Sequence, residues 1–465
     1  MHNLPVSKSG WIRYPVVFIL SYGFLLDYLY RVNVSVALEG GMVPDNCTQN
    51  QSRCWNEIEQ GYVLSSFYWG YTISQLPAAL FLSKLSATAI FGLGLTLSTV
   101  LTLIQPLLTG FWANLICRVI VGMGEGATFP LALTIISNWS PAQERGVFTA
   151  MATGGRYIGG VMGNILSGVL TSSNFLGGWP SVFYVYGAMG VIWSVLWFSI
   201  VRDSPQKSLL TSEGEKEYLA VSTVPQRKFE FSEVPFRRIL TSRPAISTFL
   251  LHFCNGYGFF MLLTDLPKFL KQVQGFDVES SAAVAAIPYI SIWLGFIFSG
   301  FVSDRLINSG KVSLTNVRKI CAMFAEFLPA FLLFSSTLFN KNLPVLLLMN
   351  VSMFFQGFAN SAYYVNYMDL SPRFSGVLCA IGNSAGSAAG LIGPVVVGWL
   401  LKGVEGHDEL QRKWQLAFAS ASIVWLVGSL QFVCLGSGEK QSWDEVVEGD
   451  DDDDDDDDDE DPVDI

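Results

Sequence analysis

Long apolar runs alternate with short polar punctuation along the 465-residue chain. A helix needs about 20 residues to cross a bilayer core. The pattern predicts twelve such helices, over 14–38, 60–83, 87–109, 111–137, 146–170, 180–201, 244–266, 280–304, 318–339, 343–367, 373–401 and 412–435. A polar segment, 202–243, holds eight basic and six acidic residues and divides them six plus six. The expected organisation is therefore a short N-terminus (1–13), a six-helix bundle (14–201), a linker (202–243), a second bundle (244–435) and a tail (436–465). An all-α integral membrane protein of two related halves is the layout of a transporter.

Charged residues inside the apolar runs sharpen that expectation. The stretch from Leu115 to Ser137 carries Arg118 and Glu125, two helical turns apart and so on one face. Each costs roughly 2.5–3.5 kcal/mol at the bilayer centre on insertion scales, unless it faces protein or a wet cavity. Asp27 and Arg31 repeat the pattern one turn apart in the first run, and Arg156 sits between glycines in the fifth. A guanidinium offers five donors suited to a carboxylate or phosphate. Cations kept in the bilayer point to anion transport, with Glu125 as a proton carrier. The competing readings are an Arg31–Asp27 pair that only neutralises itself, and a packing network around Arg118. Gly122, Gly124 and Gly126 read as a close-packing face rather than as ligands.

Composition agrees. With 51% hydrophobic and 14% charged residues, the chain is not a soluble globular protein. Its net charge of −11 comes from the end: sixteen acidic residues lie between Asp444 and Asp464, and without them 28 basic stand against 23 acidic, a net of +5. Such a tail is expected to be disordered and solvated. The first apolar run is longer than a signal-peptide core and lacks a small-residue cleavage site, so it reads as a span. Lys and Arg concentrate in the loops that an inside N-terminus makes cytoplasmic, so both termini are expected there. Cys47 and Cys54, beside the sequons at Asn46 and Asn50, then fall outside, where a disulfide and glycosylation are expected. The other five cysteines lie in apolar helices and read as packing residues. No metal-ligand spacing, P-loop or nucleophile elbow occurs, and the glycine-rich stretch 382–398 follows no strand. No enzyme, metal, cofactor or nucleic-acid partner is expected.

Seven segments carry a resemblance: RVNVSVAL (31–38), SSFYWGYTISQLP (65–77), RVIVGMGEGATFP (118–130), WSPAQER (139–145), GWPSVFYVYG (178–187), TNVRK (315–319) and MDLSPRFSGVL (368–378). In order and spacing they resemble the major facilitator anion transporters, the family of sialin, vesicular glutamate and nucleotide transporters, sodium–phosphate cotransporters and plant phosphate or ascorbate carriers. The similarity spans roughly 10–440. It implies a central cavity, alternating access and a small anionic substrate coupled to a co-transported proton or sodium, in a transport unit expected to be monomeric. It also implies substrate contacts from Arg31, Arg118, Tyr28 and Tyr68, and coupling through Glu125 and His252. The segment 300–305, GFVSDR, resembles the family's short cytoplasmic turn, whose first-half counterpart at 82–87 has lost both Asp and Arg.

Departures qualify the substrate. Leu64 and Leu133 stand where relatives carry histidines, and Asn255 stands where the glutamate type has an arginine. Tyr367 and Met368 precede Asp369 without the histidine common there. Glutamate specificity and coupling through those histidines are therefore not expected. Arg156 stands where relatives carry a small or uncharged residue, and a third cation would favour a multivalent or bulkier anion. Asn255 completes the expected substrate contacts. The expected function is secondary active anion transport; the alternatives are an uncoupled anion conductance and a transport-incompetent sensor. Vesicular, lysosomal and plasma membranes all suit the sequence.

Overall fold

The computed structural model describes residues 12–44, 53–81, 86–141, 144–222, 233–339, 342–404 and 406–444. Twelve long helical segments run through them: α1 (Arg13–Met42), α2 (Glu57–Phe81), α3 (Ala87–Leu107), α4 (Phe111–Trp139), α5 (Arg145–Ser172), α6 (Pro180–Ile200), α7 (Arg243–Gln272), α8 (Val278–Asn308), α9 (314–336), α10 (Leu343–Leu370), α11 (Ser375–Leu401) and α12 (His407–Leu435). Nine of these are long and apolar enough to cross a membrane on composition alone. The other three are α2, α5 and α9, of which α2 and α5 are too polar by that measure. For α2 and α5 the reason is their position: they form the seam between the halves, α2 against α11 and α5 against α8.

Packing repeats with a period of six. Within the first half α1 pairs with α5, α2 with α4 and α3 with α6; within the second, α7 pairs with α11, α8 with α10 and α9 with α12. Glycine sets the closest approach. A Cβ added at Gly122 would lie 1.9 Å from the Phe67 carbonyl oxygen, and one at Gly70 1.8 Å from that of Val119. The α2–α4 contact therefore needs bare backbone on both helices, which accounts for the glycines of 118–130 by packing.

Several expected boundaries change. α4 is not one continuous helix; it breaks at Gly126–Ala127 into Phe111–Glu125 and Thr128–Trp139. α7 continues six residues past 266, because Asp265 and Lys268 are buried in the fold. The GFVSDR segment is not a turn: α8 carries Asp304 and Arg305 inside its last turns, and Ser313, not Asp304, caps the next helix by accepting from Asn316 N. Glu326, near enough to the end of α9 to be expected to reach water, is instead 0% exposed. The 202–243 linker includes helices Glu213–Ser222 and Phe236–Thr241. Glu215 accepts from the backbone N–H groups of Ile12 and Arg13, which ties the linker to the start of α1. Cys54 is disulfide-bonded. Cys47, Asn46, Asn50 and the acidic run 450–459 lie outside the described residues.

Candidate functional site

Buried charge marks the site. In α1, Arg31 Nη2 donates to Asp27 Oδ1 at 3.1 Å, and the two residues are 4% and 0% exposed. The rings of Tyr28, Phe67 and Tyr71 each centre 4.8 Å from the Arg31 guanidinium carbon. A guanidinium is weakly hydrated and stacks on ring faces, so this cage holds it in place without cancelling its charge. Arg31 Nε and Asp27 Oδ2 both lack a partner. The ion pair is real, and it keeps unused donors and acceptors.

Arg118 approaches from α4 but spends its guanidinium on α1 backbone. Nη1 donates to the Tyr30 carbonyl at 2.7 Å and Nη2 to the Arg31 carbonyl at 3.4 Å. Arg118 Nε, also buried, has no partner. Two turns on, Glu125 is fully buried; no donor reaches either carboxylate oxygen, and its carboxyl lies within hydrogen-bonding reach of that of Asp27. Its charged neighbours are Asp27, Arg31 and Arg118. Two carboxylates side by side in a dry volume repel unless a proton or cation answers them. Two carboxylates and two guanidiniums thus share one enclosure.

Arg156 of α5 stands differently. Its guanidinium carbon lies 4.5 Å from the Phe24 ring centroid and 4.4 Å from that of Phe129, and its buried Nε and Nη2 have no partner. It pairs with no carboxylate among the described residues. Tyr68 spans the seam: its ring centres 4.6 Å from that of Phe260 in α7 and packs on Gly390 of α11, and its hydroxyl is unpartnered.

The second half contributes neutral groups. His252 Nδ1 lies 3.0 Å from the Tyr367 hydroxyl, and its ring stacks on Tyr363 at 4.1 Å. It is buried, and its ring contacts are the tyrosines of α10, Tyr363, Tyr364 and Tyr367. Asn255 accepts from the Tyr363 hydroxyl at 3.1 Å and leaves Nδ2 unpartnered. Asn366 and Asn383 are used between helices, on Thr248 at 3.0 Å and Gln75 at 2.8 Å. An apolar pocket with no charged residue in its lining opens among Phe259, Leu262, Pro288, Tyr289, Met349 and Met353.

The seam is closed by charge on the face away from the N-terminus. Lys268 of α7 bonds Glu57 and Gln60 of α2, and Lys271 Nζ lies 3.6 Å from Glu39 Oε2 in α1. Nearer the N-terminal face, neutral groups take over: Gln75 bonds Asn383, Ser384 and Ser387 of α11.

Six-helix halves repeated in packing, with a cluster of buried charge between α1 and α4, match a known architecture. The sequence profile of the Major Facilitator Superfamily aligns with residues 20–394. The chain belongs to the Major Facilitator Superfamily. It is 30% identical to sialin of Homo sapiens, across 94% of this chain and 92% of that protein. It is also 30% identical to the chloroplastic ascorbate transporter of Arabidopsis thaliana (94% and 78%) and to vesicular glutamate transporter 1 of Xenopus tropicalis (94% and 77%). The fold matches that of a bacterial homolog of the human lysosomal transporter Spinster, with a TM-score of 0.71 at 16% identity, over 92% of this chain and 97% of that one. As a major facilitator, the protein is a multi-pass membrane transporter and not an enzyme.

Of the residues singled out in the sequence, Asp27, Arg31, Arg118, Glu125 and Tyr28 come together, Arg156 stands on α5 beside Phe24 of α1, and His252 and Asn255 lie in the facing half. Tyr71, Phe24, Phe129 and the Lys268–Glu57 lock were not anticipated. The aromatic spacing of Phe67, Tyr68 and Tyr71 on α2 was the available signal for the cage. Nothing in the sequence marked Glu57 as a partner of a lysine 211 positions away.

Proposed function

We propose that the protein carries an organic anion together with a proton by alternating access, with Arg31 as the anion-binding group and Asp27 and Glu125 as the proton-exchanging pair. One observation carries the reading: Arg31 is paired with Asp27 inside a membrane-spanning helix, and the carboxyl of Glu125 faces that pair. An arriving anion competes with Asp27 for the guanidinium. A proton taken up by the carboxylate pair compensates the carboxylate that the anion displaces. One acidic group and one proton together then leave the net charge around Arg31 unchanged, so the loaded carrier can close there without burying an extra charge. The names of the relatives, an ascorbate and a glutamate transporter among them, support an anionic substrate.

In this reading the N-terminus is cytoplasmic, as the loop Lys and Arg distribution suggests. The Lys268–Glu57 lock then closes the outer face, and release to the cytoplasm passes Gln75. The test is uptake into proteoliposomes of labelled sialate, glucuronate, ascorbate, aspartate and phosphate, under separate proton, sodium and voltage gradients. Concentrative uptake of an organic anion that needs a proton gradient, is lost in Arg31→Ala and loses its proton drive in Glu125→Gln is the expected result. Uptake driven by sodium alone would overturn the proton assignment. Folded protein that moves no anion under any gradient would overturn transport in favour of a sensor.

A further inference from the structure

The cations of this site are not equivalent. Asp27 answers Arg31, and Glu125 and two backbone carbonyls surround Arg118. Among the described residues nothing answers Arg156: it makes no ion pair or hydrogen bond, and Nε and Nη2 are buried without a partner. Its flanking rings, Phe24 and Phe129, fix the guanidinium plane and leave its edge, where the donors lie, unused. An arginine with no compensating group is costly in a membrane-spanning helix unless a ligand supplies the missing charge.

Its place in the fold says which part of a ligand that is. Arg156 is level with Phe24 on α1, whereas the Arg31 cage begins at Tyr28, one turn further in. Phe24 and Arg31 are seven residues apart, which is roughly 10 Å along a helix axis. Tyr28 is the shared neighbour, in contact with Arg31 and within the electrostatic reach of Arg156. The charge of Arg156 also acts on Tyr157 in the first half and on Tyr364 and Cys379 in the second. A cation facing residues of both halves, separated from Arg31 by a tyrosine belt, is a second point of attachment along the same path.

Resting on the anion-carrier reading above, we propose that Arg156 binds a second acidic group of the same substrate. The carried solute is an organic dianion whose two acidic groups are separated by a carbon body that lies along the tyrosines, with one end on Arg31 and the other on Arg156. A single small oxyanion would leave one of the two cations unanswered.

The test uses the full-length protein in detergent micelles, with ligand-induced shifts of the melting temperature as readout. The probes are straight-chain α,ω-dicarboxylates from glutarate to suberate and monocarboxylates of the same lengths. Wild type should prefer some dicarboxylate over its length-matched monocarboxylate by about tenfold or more, the worth of one extra charge-assisted contact. That ratio should collapse in Arg156→Gln and survive in part in Arg156→Lys, with the unliganded melting temperature confirming that both variants fold. Equal weakening of mono- and dicarboxylates in Arg156→Gln, or an unchanged ratio, would overturn the proposal. Binding of dicarboxylates that needs Arg31 but ignores Arg156 sinks only this inference. Loss of all anion binding in wild type, or full binding in Arg31→Ala, sinks the carrier reading itself.

Discussion

Asp27 and Arg31 close a 3.1 Å ion pair within one turn of α1, and Glu125 meets that pair from α4 with its carboxyl against that of Asp27 and no donor on either oxygen. A pair used only for structure would saturate its donors and acceptors, because unpaired polar atoms in a dry interior are costly. Here Arg31 Nε and Asp27 Oδ2 stay open. The arrangement suits a guanidinium that changes partners during a cycle.

Asp27→Asn tests that exchange. The amide mimics a carboxyl that has taken up its proton, so Arg31 is left permanently available. Anion binding should strengthen by about tenfold, the worth of removing a competing charge-assisted bond. Proton-driven accumulation should fall while anion exchange across the membrane persists. Accumulation and its proton dependence, measured beside counterflow in proteoliposomes, separate the two. Intact proton-driven accumulation in Asp27→Asn would remove Asp27 from the coupling.

Gly122 sets the distance between α2 and α4, and therefore the width of the Arg31 cage, since Phe67 and Tyr71 stand on α2. A side chain at Gly122 meets the Phe67 carbonyl rather than a movable side chain. Gly122→Val should cost about 1–3 kcal/mol by overpacking and weaken anion binding through the displaced cage. Gly300, in the middle of α8, is the control: an added Cβ meets nothing within 4 Å. Gly300→Ala should stabilise by about 0.5–1 kcal/mol through helix propensity. Melting temperatures of the two variants decide it.

Asp203 follows α6, outside the membrane-spanning segments, and its carboxylate accepts from Ser86 Oγ and Thr88 Oγ1, each at 2.6 Å, at the start of α3. Burial pushes this carboxyl up, but the hydrogen bonds from Ser86 and Thr88 outweigh it and hold the group below the usual carboxylate range. A carboxyl depressed by folding stabilises above its unfolded value and loses that contribution as pH falls through the folded one. Asp203→Asn should therefore cost about 1 kcal/mol at neutral pH, like other lost helix caps. The difference from wild type should shrink below about pH 4. Thermal melts across pH 3 to 7 check both statements.

Much of this was legible in the sequence because the bilayer enforces a length and a polarity on each span. Arg31, Arg118, Glu125 and Arg156 stood out since charge within an apolar run has few cheap explanations. What their side chains do was not legible. Arg118 turns to backbone carbonyls that no pattern advertises, and His252 is satisfied by Tyr367 from a helix 115 residues away. Apolarity also failed as a guide to the seam. α2 and α5 are polar because each packs across it, on α11 and α8, where hydroxyls, amides and glycines replace lipid-facing side chains.

The Lys268–Glu57 contact should govern which face of the carrier opens. The Lys268 side chain is 8% exposed and that of Glu57 28%, so removing the lysine strands a half-buried carboxylate at the seam. The cost falls on the state in which this face is closed, because only there do α2 and α7 meet. For a half-buried pair that is about 1–3 kcal/mol, and about 1.4 kcal/mol already shifts a two-state equilibrium tenfold. Lys268→Met should therefore open this face. A reporter cysteine at position 28 (Tyr28→Cys) should then react about tenfold faster with an impermeant thiol reagent added from that side. Glu57→Gln should have the same effect, and the two together no more than either alone, since both remove one contact. Additive effects would mean that the two residues hold the face shut through separate partners, with Gln60 left to answer the lysine.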